Sequence, residues 1–328
     1  MPVEKYFLGA NSYSGFFSLM DRLQEPGRLL FILKGGPGSG KSSFMRRLTK
    51  QLGDPSAELI LCSGDPDSLD GVIFPSLGFA AADGTAPHVL EPVYAGVSAV
   101  YADLSRFCDW YSLRRREKEI RLLSDDYRAH YSLAYAALSR AGLKSPRRAL
   151  SAEERKAAEN IASEMTGQEP GAASPAKERF LSALTCRGAL TMPPAEGGGR
   201  TVLLEGDGDF ASAVISAAAE RLGGTLCRDP LRPERAMQLI SPGLTIAAKS
   251  HFFPFPKSGA ETVFLPVPRA PEPETELLEA AAELEKAKRS HDELEVLYNP
   301  FTDFDEVYDA ADLLAARMRA QALTSGGK

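Results

Sequence analysis

Cysteine is scarce and dispersed. Cys62, Cys108, Cys186 and Cys227 are the only four, and no two form a CxxC pair. That spacing argues against both a disulfide framework and a structural zinc site, and reduced thiols are expected. No run of about 18 uncharged apolar residues occurs, so no membrane-spanning helix is expected. A basic surplus is missing as well: 38 Lys and Arg against 44 Asp and Glu leave a net charge of -6. Non-specific attraction to nucleic acid or anionic lipid is therefore not indicated, although a local cleft can still hold phosphates. Met1-Pro2-Val3-Glu4-Lys5-Tyr6 lacks a basic stretch followed by an apolar run. No signal peptide is expected there, and a cytoplasmic location is the expectation.

What is present is an ordinary globular balance, 44% hydrophobic and 25% charged, over 328 residues. That length suggests about two domains. The chain also repeats itself. Phe7-Leu8-Gly9-Ala10 lines up with Phe180-Leu181-Ser182-Ala183 at a shift of 173, and Phe31-Ile32-Leu33-Lys34-Gly35 with Val202-Leu203-Leu204-Glu205-Gly206 at 171. Leu61-Cys62 matches Leu226-Cys227 at 165, Asp65-Pro66 matches Asp229-Pro230 at 164, and Pro75–Ala81 matches Pro242–Ala248 at 167. Five matches in one order point to an internal duplication. The Gly, Pro, Ser and Ala content of Thr166–Pro175 suits an exposed linker between domains at 1–166 and 177–328.

In the first half, Leu29–Leu33 is an apolar run ending in a glycine loop. Ser42–Leu52 has helical spacing at Phe44, Met45, Leu48 and Leu52. Leu59–Cys62 reads as a second strand, a short helix could start at Ser68 under an Asp65 or Asp67 cap, and Leu77–Ala82 reads as a third strand ending at Asp83. From Val97 to Gly142 the pattern is helical, and Glu274–Leu297 and Asp305–Gln321 form comparable runs. Alternating strands and helices predict an α/β fold of two three-layer units with parallel sheets and helical insertions.

The loop carries the motif GxxxxGK[ST] in full, from Gly35 to Gly40-Lys41-Ser42. Glycines let successive backbone N–H groups converge on phosphate oxygens, and the following helix adds its free amides and the positive end of its dipole. Gly36, Pro37, Gly38, Ser39, Gly40, Lys41, Ser42 and Ser43 are the predicted phosphate cradle. Lys41 is expected to meet the β- and γ-phosphates and Ser42 to coordinate Mg²⁺. Asp83 is the candidate second metal ligand, with a turn-capping role before Gly84 as its alternative. His88 and Glu91 are candidates for orienting a water or a substrate hydroxyl. Arg114, Arg115 and Arg116 could supply a lid cation or simply form a solvated helix face.

At the shift of 171, Gly40, Lys41 and Ser42 fall on Ala211, Ser212 and Ala213, while Asp207 and Asp209 enter the loop; at 167, Asp83 falls on Ser250. The second half reads as a copy that has lost the site. The motif resembles that of the P-loop NTPases. The wider arrangement, including Phe7-Leu8-Gly9-Ala10, Asp65–Asp70, Asp83–His88 and His291-Asp292-Glu293-Leu294-Glu295, resembles an uncharacterised bacterial family of tandem P-loop ATPases. The resemblance implies two P-loop-type units, of which the second departs here from the more intact motif of some relatives. ATP and Mg²⁺ are the expected cofactors, and no NKxD-type guanine-reading segment is present. The leading expectation is a slow ATPase or nucleotide-dependent switch with an unknown protein or small-molecule partner. A small-molecule or nucleotide kinase, and a nucleotide-gated binding module with negligible turnover, are the alternatives.

Overall fold

The computed structural model describes residues 3–171, 174, 176–194, 199–256 and 259–325. Ala172, Ala173 and Pro175 of the expected linker lie outside the described residues, as do 1–2 and 326–328 at the outer ends of the two expected domains. The fold is mixed α/β, with two six-stranded, mostly parallel sheets and seven helices among the described residues.

The first sheet is built from β1 (Glu4–Phe7), β4 (Leu29–Lys34), β5 (Glu58–Leu61), β6 (Leu69–Phe74), β7 (Phe79–Asp83) and β8 (Ala99–Asp103), with the hairpin β2 (Gly9–Ser12) and β3 (Gly15–Ser18) intervening in the chain. Helix α1 (Lys41–Leu52) follows β4, and α2 (Trp110–Arg115) and α3 (Glu117–Lys144) follow β8. Next come α4 (Ala152–Thr166), β9 (Lys177–Arg179) and the hairpin β10 (Ser182–Thr185) and β11 (Gly188–Thr191). They are followed by β12 (Arg200–Glu205), α5 (Gly208–Leu222), β13 (Thr225–Arg228), β14 (Ala236–Ser241), β15 (Leu244–Ala248) and β16 (Glu261–Phe264). Helices α6 (Glu274–Tyr298) and α7 (Phe304–Ser325) end the chain.

The strand orders are β1-β5-β6-β7-β4-β8 and β9-β13-β14-β15-β12-β16. In each sheet the strand that precedes the loop, β4 or β12, lies between two parallel neighbours. The third strand, β6 or β14, runs antiparallel to both of its neighbours. The sheets are therefore not wholly parallel, as the alternation of elements had suggested. Two segments account for the difference. Leu69–Phe74 is a fully buried strand, where a helix from Ser68 was one expectation, and Ala99–Asp103 is a strand within a stretch expected to be helical. Gly71 belongs in β6 because a Cβ there would come within 3.3 Å of the Ala81 carbonyl oxygen on the adjacent strand.

Two compact units emerge, each discontinuous in sequence. One comprises Met1–Glu4, Ser18–Leu133 and Glu283–Lys328, and the other Lys5–Phe17 and Ala134–Ala282. Helix α3 carries the chain from the first into the second, and α6 carries it back. The single divider read between 166 and 177 does not coincide with either crossing. In the first unit, α1 buries Phe44, Met45 and Leu48, while Arg47 and Gln51 reach Asp312 of α7 at 2.6–2.8 Å. In the second, Ala158 and Ala162 of α4 share a core with Phe210, Val214, Ile215 and Ala218 of α5 and with Val202, Leu204 and Ile246 of the sheet. The four cysteines are unbridged. Among the described residues no helix is long and apolar enough to cross a membrane.

Candidate active site

The apolar strand β4 delivers the chain to the glycine loop, and α1 leaves from it. Gly38 and Gly40 have φ of 66° and 81°, a left-handed conformation that a side chain opposes. Gly40 is also the N-cap of α1 and, having no side chain, leaves the first turn without a side-chain cap. The outside of the loop is covered. A Cβ on Gly38 would lie 2.9 Å from Asn299 Oδ1 and one on Gly40 3.1 Å from Val307 Cγ1. Thr302 donates to the Gly38 carbonyl at 3.2 Å. The segment joining α6 to α7 thus holds the loop from behind.

Lys41 donates to the Gly35 and Gly36 carbonyls at 2.8 and 2.9 Å and lies 3.6 Å from Asp83. Asp83 is brought there by register, because β7 pairs with β4 so that Asp83 stands opposite Leu33. Its Oδ1 accepts from the Thr85 amide and hydroxyl, and its Oδ2 faces Lys41. The Ser42 hydroxyl accepts from the Leu69 amide at 3.1 Å.

These groups open on a cavity of about 260 Å³. Residues 37–43 and Asp83 line it, together with Asp65 and Asp70. Gly36 is not at its wall and contributes its carbonyl to Lys41 and Ser39 instead. His88 stands one layer behind, its Nε2 2.9 Å from Asp70 Oδ2, with both side chains buried. Burial is the largest influence on His88 and disfavours its charged form. The Asp70 charge and hydrogen bond, aided by Asp83, outweigh it and raise its pKa above the ordinary imidazole value. Ligand atoms of Cys62, Asp70 and His88 lie within 4.8 Å of one another. Burial and the Asp70 charge push the Cys62 thiol well up. The cluster holds a buried Asp70–His88 ion pair beside the thiol.

Another part of the wall comes from helices whose role the sequence left open. Tyr127 and Tyr131 are one turn apart on α3, and Leu284, Lys288, His291 and Glu295 follow one face of α6. His130 and Glu283, 2.7 Å apart, tie the two helices. Lys288 lies 3.4 Å from Asp65, and Tyr127 packs on Tyr131 with ring centroids 4.9 Å apart. Burial pushes the Tyr127 hydroxyl up to about 12, and burial together with Lys288 and Lys41 lowers the His291 pKa. This wall presents two phenols, an imidazole whose charged form is disfavoured, the Lys288 ammonium and the Glu295 carboxylate. The 4, 3, 4 spacing from Leu284 to Glu295 is the signal that could have revealed it.

Glu91 lies elsewhere: it is exposed, accepts from the Tyr101 hydroxyl and does not line the cavity. Arg114, Arg115 and Arg116 are also outside it, with Arg116 paired to Glu119 on a solvated face.

In the second unit the turn between β12 and α5 is shorter. Six residues, 35–40, separate β4 from α1, whereas only Gly206 and Asp207 separate β12 from α5. The helix-starting residues are Lys41 and Gly208, so the offset there is 167 rather than the 171 read from the strands. The turn before α5 therefore differs from the one before α1 in length as well as in residues. Asp207 caps α5 by accepting from the Phe210 amide at 3.0 Å.

Comparisons with known protein families, with curated proteins and with solved structures find no match.

Proposed function

We propose that the first unit is a P-loop-type domain that binds Mg·ATP at residues 36–43 and hydrolyses it slowly, as a nucleotide-dependent switch. The observation that carries this reading is the uncapped N-terminus of α1, behind left-handed Gly38 and Gly40, opening with Lys41, Ser42 and Asp83 on one cavity. Convergent amides, a helix dipole and an ammonium group suit a polyphosphate better than any neutral ligand. Lys41 now spends its donors on two loop carbonyls and can exchange them for phosphate oxygens. The donor set also fits Mg²⁺: Ser42 offers a hydroxyl and Asp83 a carboxylate oxygen not taken by Thr85. The ion would supply charge neutralisation to the phosphates. Asp70, backed by His88, is the acceptor placed to orient a water or a hydroxyl in the cavity.

The second unit, on the same reading, is a duplicated copy that has given up triphosphate binding. The matching strand orders and directions support duplication. The shortened turn and the Asp207 cap support the loss.

One observation favours a phosphotransferase as the second reading. The α3–α6 wall brings tyrosines, Lys288 and His291 to the same cavity as Lys41, where an acceptor molecule could sit. Incubation with γ-labelled ATP and a panel of nucleotides and metabolites separates the two. Free phosphate released below about 1 s⁻¹, the low end of typical turnover, is the expected result. A labelled small molecule formed much faster than free phosphate overturns the switch reading.

A further inference from the structure

A second cavity, of about 120 Å³, lies wholly within the second unit at the N-terminus of α5. It is less than half the size of the first and is lined by residues with no part in the site above. Its charges are mostly matched in pairs. Arg148 bonds Glu154 and Asp207 at 2.8 and 3.1 Å, Arg235 bonds Asp209 at 2.6 Å, Arg269 bonds Glu272 at 2.8 Å, and Lys249 bonds Glu205.

Arg232 is different. It is 8% exposed, and its Nη2 atom is buried without a hydrogen-bond partner. Among the described residues no carboxylate comes within ion-pair distance of it. Its guanidinium stands 5.0 Å from the centroid of the Tyr13 ring. Glu234, its nearest acidic neighbour in sequence, pairs with Arg147 at 3.6 Å, and Asp229 turns its carboxylate to the amides of Leu231 and Arg232, at 2.9 and 3.4 Å. A buried cation with no carboxylate at ion-pair distance is costly to the free chain and would be relieved by a ligand's negative charge. The dipole of the 15-residue α5 acts in the same direction.

We propose that this cavity binds a compact oxyanion, a carboxylate or a phosphate, on the guanidinium of Arg232. A planar guanidinium pressed on an aromatic ring offers its edge donors to two oxygens at once, the geometry both groups share. The cavity's size favours a ligand much smaller than a nucleoside triphosphate. The site does not depend on ATP binding in the first unit.

The test uses the full chain, with thermal melts and calorimetry in acetate, lactate or inorganic phosphate at fixed ionic strength and chloride as the reference. At least one oxyanion is expected to raise Tm at millimolar concentration where chloride does not. Response to carboxylates or to phosphate identifies the source. Arg232→Met is expected to abolish the shift while melting at or above the wild-type temperature without ligand, and Lys41→Ala to retain the shift. Absence of any oxyanion response, or a response that survives in Arg232→Met, overturns the proposal. Should that variant fail to fold, Arg232→Lys keeps the charge but loses the planar fork. Binding weakened roughly tenfold or more supports the site, and unchanged affinity overturns it.

Discussion

Lys41 and Asp83 form the contact on which the nucleotide reading stands, since each is a partner for charge that arrives with phosphate and metal. Lys41→Ala is expected to weaken Mg·ATP binding at least tenfold, about 1.4 kcal/mol, in a chain whose circular dichroism is unchanged. Unchanged affinity by calorimetry would remove the reading. Asp83→Asn is expected to abolish hydrolysis. The buried Asp70–His88 pair makes a separate prediction through pH. A raised folded-state pKa means that His88 binds its proton more tightly in the folded chain. Its stabilising contribution is fully present below the unfolded value, about 6.5, and is lost as pH rises through the folded value. Thermal melts across that window should fall with rising pH more steeply in the wild type than in His88→Gln. Identical profiles would show that the pair does not titrate with folding.

At the scale of elements, the loop is held between α1 and the turn from α6 to α7. Gly38 combines a φ of 66° with a Cβ position 2.9 Å from Asn299 Oδ1 and 3.0 Å from Tyr298 Cβ. Gly38→Ala therefore faces both a left-handed backbone and a crowded wall. A loss of roughly 1–3 kcal/mol of stability is expected from the backbone alone, with weaker ATP binding measured alongside. A variant with wild-type stability in chemical denaturation would mean that the loop relaxes freely. Elements also show where local pattern was insufficient. β6 escaped notice because Asp70 and Gly71 interrupt its apolar run, and both are there for tertiary reasons: one meets His88, and the other passes close to Ala81. β8 escaped because alternation over five residues, Ala99–Asp103, is short beside the long helical pattern that follows.

At the scale of the whole molecule, each compact unit needs chain from both sides of the 166–177 divider. A fragment of residues 1–166 retains the motif but lacks Leu284, Lys288, His291, Glu295, Asn299 and Phe304 from the cavity wall. It also loses Thr302 and Val307 from behind the loop. That fragment is expected to show neither a cooperative melt nor measurable Mg·ATP binding, and full-length affinity in the fragment would contradict the discontinuous first unit. For the intact chain, titration should saturate at one nucleotide. A second equivalent site would contradict the reading of the turn after Glu205.

The sequence by itself determined the features that depend on neighbours along the chain. Strand, glycine turn and helix start from Leu29 to Ser42 are contiguous, so their chemistry is legible as a motif. Asp83 follows its strand closely enough to be placed at its end. The recurrence of apolar stretches and turn residues in the same order was legible in the same way. Tertiary structure alone decided what distant segments bring together. Asp70 meets His88 because β6 folds back antiparallel on β7, and α6 places Lys288 and His291 over a loop some 250 residues earlier in the sequence. Such contacts depend on the packing of surfaces whose local patterns are compatible with many partners, and a helix face in sequence does not specify which loop it will cover.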